Sequence, residues 1–352
     1  MIIYIEKEIK NYPKVKEIIE KFKNSNIIFI DNYKNVFSKK IPEWSNINSF
    51  ILAKLKVPSV LDGPKDYGHN NKNSYFLKTS INCVFDCSYC FLKWAFKNDI
   101  PVYFLNYDDF KKEIINKVES SMSSFIITSP LTPVLQGEGN DKELKIRVDE
   151  DYRNKIWFYS GDYSDIIGMD NIWWFIKEFV PFFENLDNTM MEIRTKSSNI
   201  RNVLNLWFIP KNTEFAFSLN PQELIDKYEI WTSSLVSRIE SINILIEKWY
   251  KVWLRFLPLL PVKNYEEIYT DFVLYIKTKI DIEKISSTFV SGLLYTKSDY
   301  NNMLKKYPKL DVLYKLKEEK DWFIRESKEM RDFFYNLFKK LDEKCFICLD
   351  EK

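Results

Sequence analysis

Short apolar runs alternate with longer segments of helical spacing along most of the chain, and that rhythm sets the expected fold. The runs are Tyr75–Lys78, Lys155–Tyr159, Met190–Arg194, Glu214–Phe217, Val252–Leu257 and Ile285–Val290, each followed by a stretch whose apolar residues recur at helical intervals. Short runs rich in β-branched and aromatic residues read as strands, and strands that alternate with helices join through right-handed crossovers into a parallel sheet. Six such units predict an α/β protein built on a partial (β/α)6 barrel of the TIM type. Chemistry in such sheets gathers at the carboxyl ends of the strands. The polar clusters fall there: a cysteine run after the first strand, Gly161 to Asp165 after the second, Thr195-Lys196 after the third and Ser218-Leu-Asn220 after the fourth.

The flanks differ from this core. A strand at Ile2–Ile5, a helix at Tyr12–Phe22 and a strand at Asn26–Ile30 predict a small α/β segment over residues 1–73, closed by the polar linker Asp62–Asn73. The barrel is expected over 74–292. Its rhythm breaks near 121–151, where Phe125-Ile-Ile-Thr128, a proline-containing loop, Gly137-Glu-Gly139 and Leu144–Val148 read as an insertion. Residues 293–352 form a mainly helical extension with an amphipathic helix at Lys328–Leu341, ending in Cys345-Phe-Ile-Cys348.

Charge and composition narrow the function. The 52 basic and 50 acidic side chains exclude a strong whole-molecule pull on nucleic acid and leave room only for a local basic strip. The lysine-rich stretches Lys7–Lys23 and Lys305–Lys320 are interleaved with acidic residues and read as solvated helix faces. No apolar run is long enough to span a membrane, because Trp253–Val262 is broken by Arg255, Pro258 and Pro261. The first residues read as a strand and not as a signal peptide, and five cysteines, an odd number with three clustered, suit a reducing cytoplasm.

Candidate chemistry concentrates in Cys83-Val-Phe-Asp-Cys87-Ser-Tyr-Cys90. Three thiolates at this spacing bind three irons of a 4Fe-4S cluster and leave the fourth open to a small ligand. The pattern is that of radical S-adenosylmethionine (SAM) enzymes, in which the cofactor's amino and carboxylate groups chelate that iron and an electron from the cluster yields a 5′-deoxyadenosyl radical. Tyr89 fits the same pattern as an aromatic residue placed to lie along the adenine. A structural zinc site is the competing reading, but its further ligands would have to come from His69 or from the distant Cys345 and Cys348. Gln136-Gly137-Glu138 resembles the Gly-Gly-Glu segment that binds the cofactor's amino group in many radical enzymes.

Collinear segments extend the likeness. Tyr4-Ile-Glu and Tyr12-Pro13, Cys87-Ser-Tyr-Cys90-Phe-Leu, Ser164-Asp165-Ile-Ile-Gly168-Met-Asp170, Arg194-Thr-Lys196, Phe217-Ser218-Leu-Asn220, Thr232-Ser-Ser234 with Arg238, and Lys305-Lys-Tyr307-Pro308 resemble the spore photoproduct lyase family, which repairs a methylene-bridged thymine dimer in spore DNA. The resemblance implies a radical SAM barrel in which Cys83, Cys87 and Cys90 hold the cluster. It also implies that Tyr89, Ser164, Asp165, Lys196, Ser218 and Asn220 surround S-adenosylmethionine, and that a flavodoxin- or ferredoxin-type protein donates the electron. Hydroxyls and a carboxylate suit the ribose or ammonium group, and a lysine suits the carboxylate.

Three departures bear on the substrate. The family's hydrogen-returning cysteine is replaced by Asp162, its second tyrosine after the third cluster cysteine by Phe91, and its glycine- and aromatic-rich DNA-wedging hairpin is expected to be missing between Lys315 and Ile324. These changes predict a reaction other than repair of the spore lesion. Tyr89, Asp162, Cys345 and Cys348 are the candidate catalytic positions, the last two as a replacement hydrogen donor or redox pair. The expected substrate is a nucleobase, nucleotide or nucleic acid, with Trp94, Tyr159 and Tyr163 as stacking platforms at the mouth. Radical modification of a peptide is the alternative, and a non-catalytic or zinc-binding scaffold is the reading from another class.

Overall fold

The computed structural model describes residues 1–39, 49–63, 73–128, 154–319 and 323–347, with the backbone alone for 123–128. All six expected strands are present: Ser74–Leu77, Ile156–Ser160, Thr189–Thr195, Thr213–Ser218, Val252–Leu259 and Ser287–Gly292. They are parallel neighbours in sequence order within one eight-stranded sheet that curls into a half-barrel. Val60–Asp62 extends one edge antiparallel, and Phe346–Ile347 the other in parallel.

Side-chain alternation decides what each face does. Ile156, Phe158, Met191, Ile193, Phe215, Phe217, Val252 and Leu254 point into the main core under the helices. The helix Phe175–Glu184 covers them with a stripe of Phe175, Ile176, Phe179, Val180 and Phe183, each fully buried and contributing about 1.5–3 kcal/mol of transfer free energy. The opposite parity, Trp157, Tyr159, Met190, Ala216, Trp253 and Phe289, forms a second cluster inside the curl. Continued one or two steps along each strand, that parity reaches Gly161, Arg194, Ser218, Leu257 and Ser291, all of which line one cavity at the carboxyl ends.

The flanks depart from the sequence expectations. The first sheet does not close at residue 73. Its order places Val102–Phe104 beside Ser49–Ala53, followed by Ser80–Ile81, because the fully buried Val102, Tyr103 and Phe104 need a ladder partner. Ser121–Thr128, read as the start of an irregular insertion, continues the helix Tyr107–Thr128. The rest of that insertion, with Gln136-Gly137-Glu138, lies outside the described residues, as do His69 and Cys348.

Beyond residue 293 the chain is not only helical. Leu294–Thr296 pairs with Phe323–Arg325, which pairs in turn with Lys317–Glu318. Paired strands of mostly charged residues therefore stand where the glycine- and aromatic-rich hairpin is expected to be missing. Lys317 and Glu318 are exposed and Ile324 and Arg325 buried, so pairing and not an alternating apolar pattern defines these strands, which the charge run masks in the sequence. The helix Lys328–Leu341 runs as expected, with Ser327 Oγ accepting from the amide of Met330 as its cap.

Candidate active site

The cysteine loop is held at both ends. Asn82, in the left-handed region at φ 67°, donates through its side chain to the carbonyls of Asn98 (2.7 Å) and Ile100 (3.2 Å). Asp86–Cys87 pairs antiparallel with Glu229–Ile230, so that Glu229 stands opposite Cys87. The amide of Cys90 closes a turn onto the Cys87 carbonyl at 3.0 Å, and Lys93, almost fully buried, anchors Asp86 at 2.7 Å.

Cys83, Cys87 and Cys90 line a single cavity of ≈ 360 Å³ together with Phe85, Phe91, Asp162, Ser164, Asp165, Arg194, Lys196, Ser218 and Tyr295. Among the described residues no three Cys, His, Asp or Glu side chains converge closely enough to hold one metal ion. The three thiols line one shared space, and a three-cysteine donor set fits a group in which each sulfur takes its own iron. Burial, with Asp165 nearby, pushes the Cys83 thiol up to about 12, and burial likewise raises Cys87 and Cys90. That burial favours the neutral thiols, and binding as thiolates would draw on the charge of a cationic metal. The donor set fits the cluster that the spacing implies.

The expected cofactor residues divide into three groups. Tyr89, Ser164, Lys196 and Ser218 line the cavity, and among the described residues the Ser164 hydroxyl reaches only the Asp165 carbonyl, at 3.5 Å. Asp165 also lines it, but both carboxylate oxygens are engaged: Oδ1 accepts from the Gly168 amide (2.7 Å) and the Thr195 hydroxyl (2.9 Å), and Oδ2 from the Lys196 amide (2.6 Å). Asp165 therefore ties the loop after one strand to the end of the next. Asn220 is not among the lining residues. It is fully buried and donates to Glu229 (3.0 Å) and the Pro258 carbonyl (3.1 Å).

Other expectations shift. Cys345 is buried in the main core and absent from the cavity wall, and burial raises its thiol to about 12. Tyr159 is not a mouth residue, since its side-chain parity puts it inside the curl, stacked on Trp157 at 5.7 Å. Trp94 packs against the core, and Tyr163 lies under the Lys78 ammonium, 5.5 Å from the ring centroid. The aromatic wall is Phe85, Tyr89, Phe91 and Tyr295 instead. Asp162 does line the cavity. Its Oδ1 accepts from Arg194 at 2.9 Å, while the buried Oδ2 has no partner.

The central residue missed in the sequence is Glu229. Its carboxylate is fully buried and takes the Tyr89 hydroxyl (2.6 Å), the Asn220 amide (3.0 Å) and the Lys196 ammonium (3.3 Å) on Oε1, and the Arg238 guanidinium (2.8 Å) on Oε2. Burial works to raise it, but the Lys196 and Arg238 charges outweigh that and hold it at about 2. Arg238 reaches it because the helix Leu235–Glu247, capped by Ser234, buries the stripe Leu235, Arg238, Ile239, Ile242 and Leu245. No local motif marks Glu229, which is recognisable only through the strand pair with Cys87.

A second missed feature is Gly161, at φ +104°, where an added Cβ would meet the Arg194 Cβ at 2.9 Å and its carbonyl oxygen at 3.0 Å. Gly161→Ala is expected to cost about 1–3 kcal/mol by urea denaturation. A loss under about half a kcal/mol would show that the turn relaxes freely.

A family model described as spore photoproduct lyase matches residues 143–335, more than half of the chain. The chain belongs to the spore photoproduct lyase family. Members of this family are radical SAM enzymes. The spore photoproduct lyase of Bacillus subtilis (strain 168) is 24% identical over 269 residues, covering 76% of this chain and 70% of that protein. That of Geobacillus sp. (strain Y412MC61) is 22% identical over 351 residues, covering 94% and 92%. Among solved structures, spore photoproduct lyase complexed with dinucleoside spore photoproduct superposes with a TM-score of 0.76 at 17% identity, covering 98% of this chain and 97% of that one. A mutant with bound AdoMet and the same dinucleoside gives 0.75 at 17% identity over the same shares. These superpositions show the shared fold. No helix among the described residues is long and apolar enough to cross a membrane.

Proposed function

We propose that this chain is a radical SAM enzyme whose half-barrel binds a 4Fe-4S cluster through Cys83, Cys87 and Cys90 and abstracts hydrogen from a base of a nucleic acid. One observation carries the reading: three cysteines spaced for a cluster line the same cavity as Ser164, Lys196 and Ser218, at the carboxyl ends of parallel strands. Bound there, the cluster and S-adenosylmethionine supply a 5′-deoxyadenosyl radical. The chain's own part is to bind, orient and enclose. Lys196 offers a cation to the cofactor's carboxylate, and Phe85 and Tyr89 offer apolar surface to its adenine. A flavodoxin- or ferredoxin-type protein is the proposed electron source.

A nucleic-acid substrate is supported by the solved relatives, which hold a dinucleoside, and by the hairpin Lys317–Glu318/Phe323–Arg325. That hairpin pairs directly with Leu294–Thr296, whose Leu294 and Tyr295 line the cavity. Lys305, Lys306, Lys309 and Lys315, all exposed, precede it in the chain and are the candidates for a local basic strip. Of the three departures from the family, the segment 315–324 does hold paired strands, but without the glycines of the family's wedge. Asp162 and Phe91 remain, and neither carries a hydrogen that a carbon radical can take, so we propose a reaction other than spore-lesion repair.

Two substrates separate the possibilities. Incubation under reducing, anaerobic conditions with a deuterated oligonucleotide is expected to place deuterium in 5′-deoxyadenosine, while dinucleoside spore photoproduct is expected not to yield thymidine at the rate of the cysteine-bearing relatives. Efficient recovery of thymidine would overturn the departure from repair. Deuterium transfer from no nucleic acid would overturn the substrate class.

A further inference from the structure

We infer that Glu229 is a positioning residue that aims the Lys196 ammonium at the carboxylate of an amino-acid-bearing ligand in the cysteine-lined cavity. The inference rests on the proposed cofactor reading and adds to it the residue that fixes the lysine in place.

A lysine ammonium has three protons to donate. Lys196 places one on Glu229 Oε1 and one on the Leu257 carbonyl, each at 3.3 Å, and finds no third oxygen acceptor among the described residues. The face of the Tyr89 ring lies 6.0 Å from the Lys196 nitrogen, and Asp165 and the thiols of Cys87 and Cys90 are close enough to feel its charge. The side chain is 16% exposed and lines the cavity, so the remaining proton has the cavity as its acceptor space.

Glu229 is suited to hold the lysine without neutralising it. Arg238 already balances its charge at 2.8 Å and is itself fixed by the carbonyls of Ser218 (2.7 Å) and Ser233 (2.8 Å) and by the Thr232 hydroxyl (2.6 Å). Tyr89 and Asn220 hold Glu229 Oε1 at 2.6 and 3.0 Å, which leaves Lys196 the longest and loosest of its contacts. One carboxylate thus faces two cations, and the cation on the cavity side retains charge for an incoming anion. The strand pair Glu229–Cys87 sets this arrangement at a fixed distance from the cysteine loop.

The test uses the full chain with its cluster reconstituted anaerobically, and two probes that differ only in the carboxylate: S-adenosylmethionine and decarboxylated S-adenosylmethionine. Equilibrium dialysis gives the ratio of their affinities, and thermal unfolding is followed in parallel. Lys196→Met is expected to lower the wild-type ratio about tenfold, the scale of one charge-assisted contact. Glu229→Gln is expected to lower it several-fold while leaving the decarboxylated probe within about twofold, even if the melting temperature falls. Glu229→Asp retains a partner for Arg238, draws the carboxylate back from Lys196 and gives the same selective loss should the Gln variant fail to fold. A ratio unchanged in the Glu229 variants, or equal weakening of both probes, would assign Glu229 a merely structural role. Failure of both probes to bind the iron-loaded wild type would sink the cofactor reading itself, a result distinct from an unchanged ratio.

Discussion

Alanine in place of Cys83, Cys87 or Cys90 is expected to abolish iron retention and cofactor cleavage together. The three thiols line one space, the spacing assigns each its own iron, and among the described residues no further cysteine lines that cavity to replace a lost ligand. Iron content is expected to fall from about four per chain to well under one, and 5′-deoxyadenosine formation by at least a thousandfold, roughly the loss of a defining cofactor. Folding is expected to persist, because these cysteines contribute little to a core dominated by the barrel strands. Iron analysis beside circular dichroism reads both at once. A variant with normal iron and normal cleavage would remove that cysteine from the site.

Arg238→Met is expected to produce the largest loss of stability. It leaves the buried Glu229 carboxylate with only Lys196 as counter-charge, and breaking one partner from a buried pair costs about 3–5 kcal/mol. The pH dependence carries the signature. In the native protein Glu229 is depressed to about 2 from an ordinary 4.5, so its ionised form contributes stability that is fully present above 4.5 and lost as pH falls through about 2. Removing Arg238 raises Glu229, so acid unfolding of the variant is expected at higher pH. The double variant Arg238→Met with Glu229→Gln is expected to recover part of the loss, since no uncompensated carboxylate remains. Urea titrations from pH 3 to 7 measure this, and strictly additive losses would show that the two residues do not act as a pair.

These two sites differ in how visible they are along the chain. The cysteine run and the six strands repeat local patterns, spacing in one case and apolar rhythm in the other, and local patterns survive folding. Glu229 carries no such mark, because its role comes from a two-residue strand that meets Cys87 across 142 positions of sequence. The hairpin at Lys317–Arg325 was hidden for a related reason: most of its residues are charged, and its strands are defined by pairing with Leu294–Thr296. Tyr159 was misplaced because its composition suits a stacking platform, while strand parity turns it inward onto Trp157. Asp165 lines the cavity, but its oxygens are committed to the Gly168, Thr195 and Lys196 donors, which the sequence does not reveal. Strand parity and long-range pairing, both properties of the assembled sheet, account for each of these differences.

The most direct measurement is of the wild-type protein, purified without oxygen, assayed for iron and sulfide and then reduced in the presence of S-adenosylmethionine. About four irons and four sulfides per chain, with 5′-deoxyadenosine released only on reduction, is the predicted result. A colourless protein that binds zinc at Cys83, Cys87 and Cys90 and forms no 5′-deoxyadenosine would contradict it.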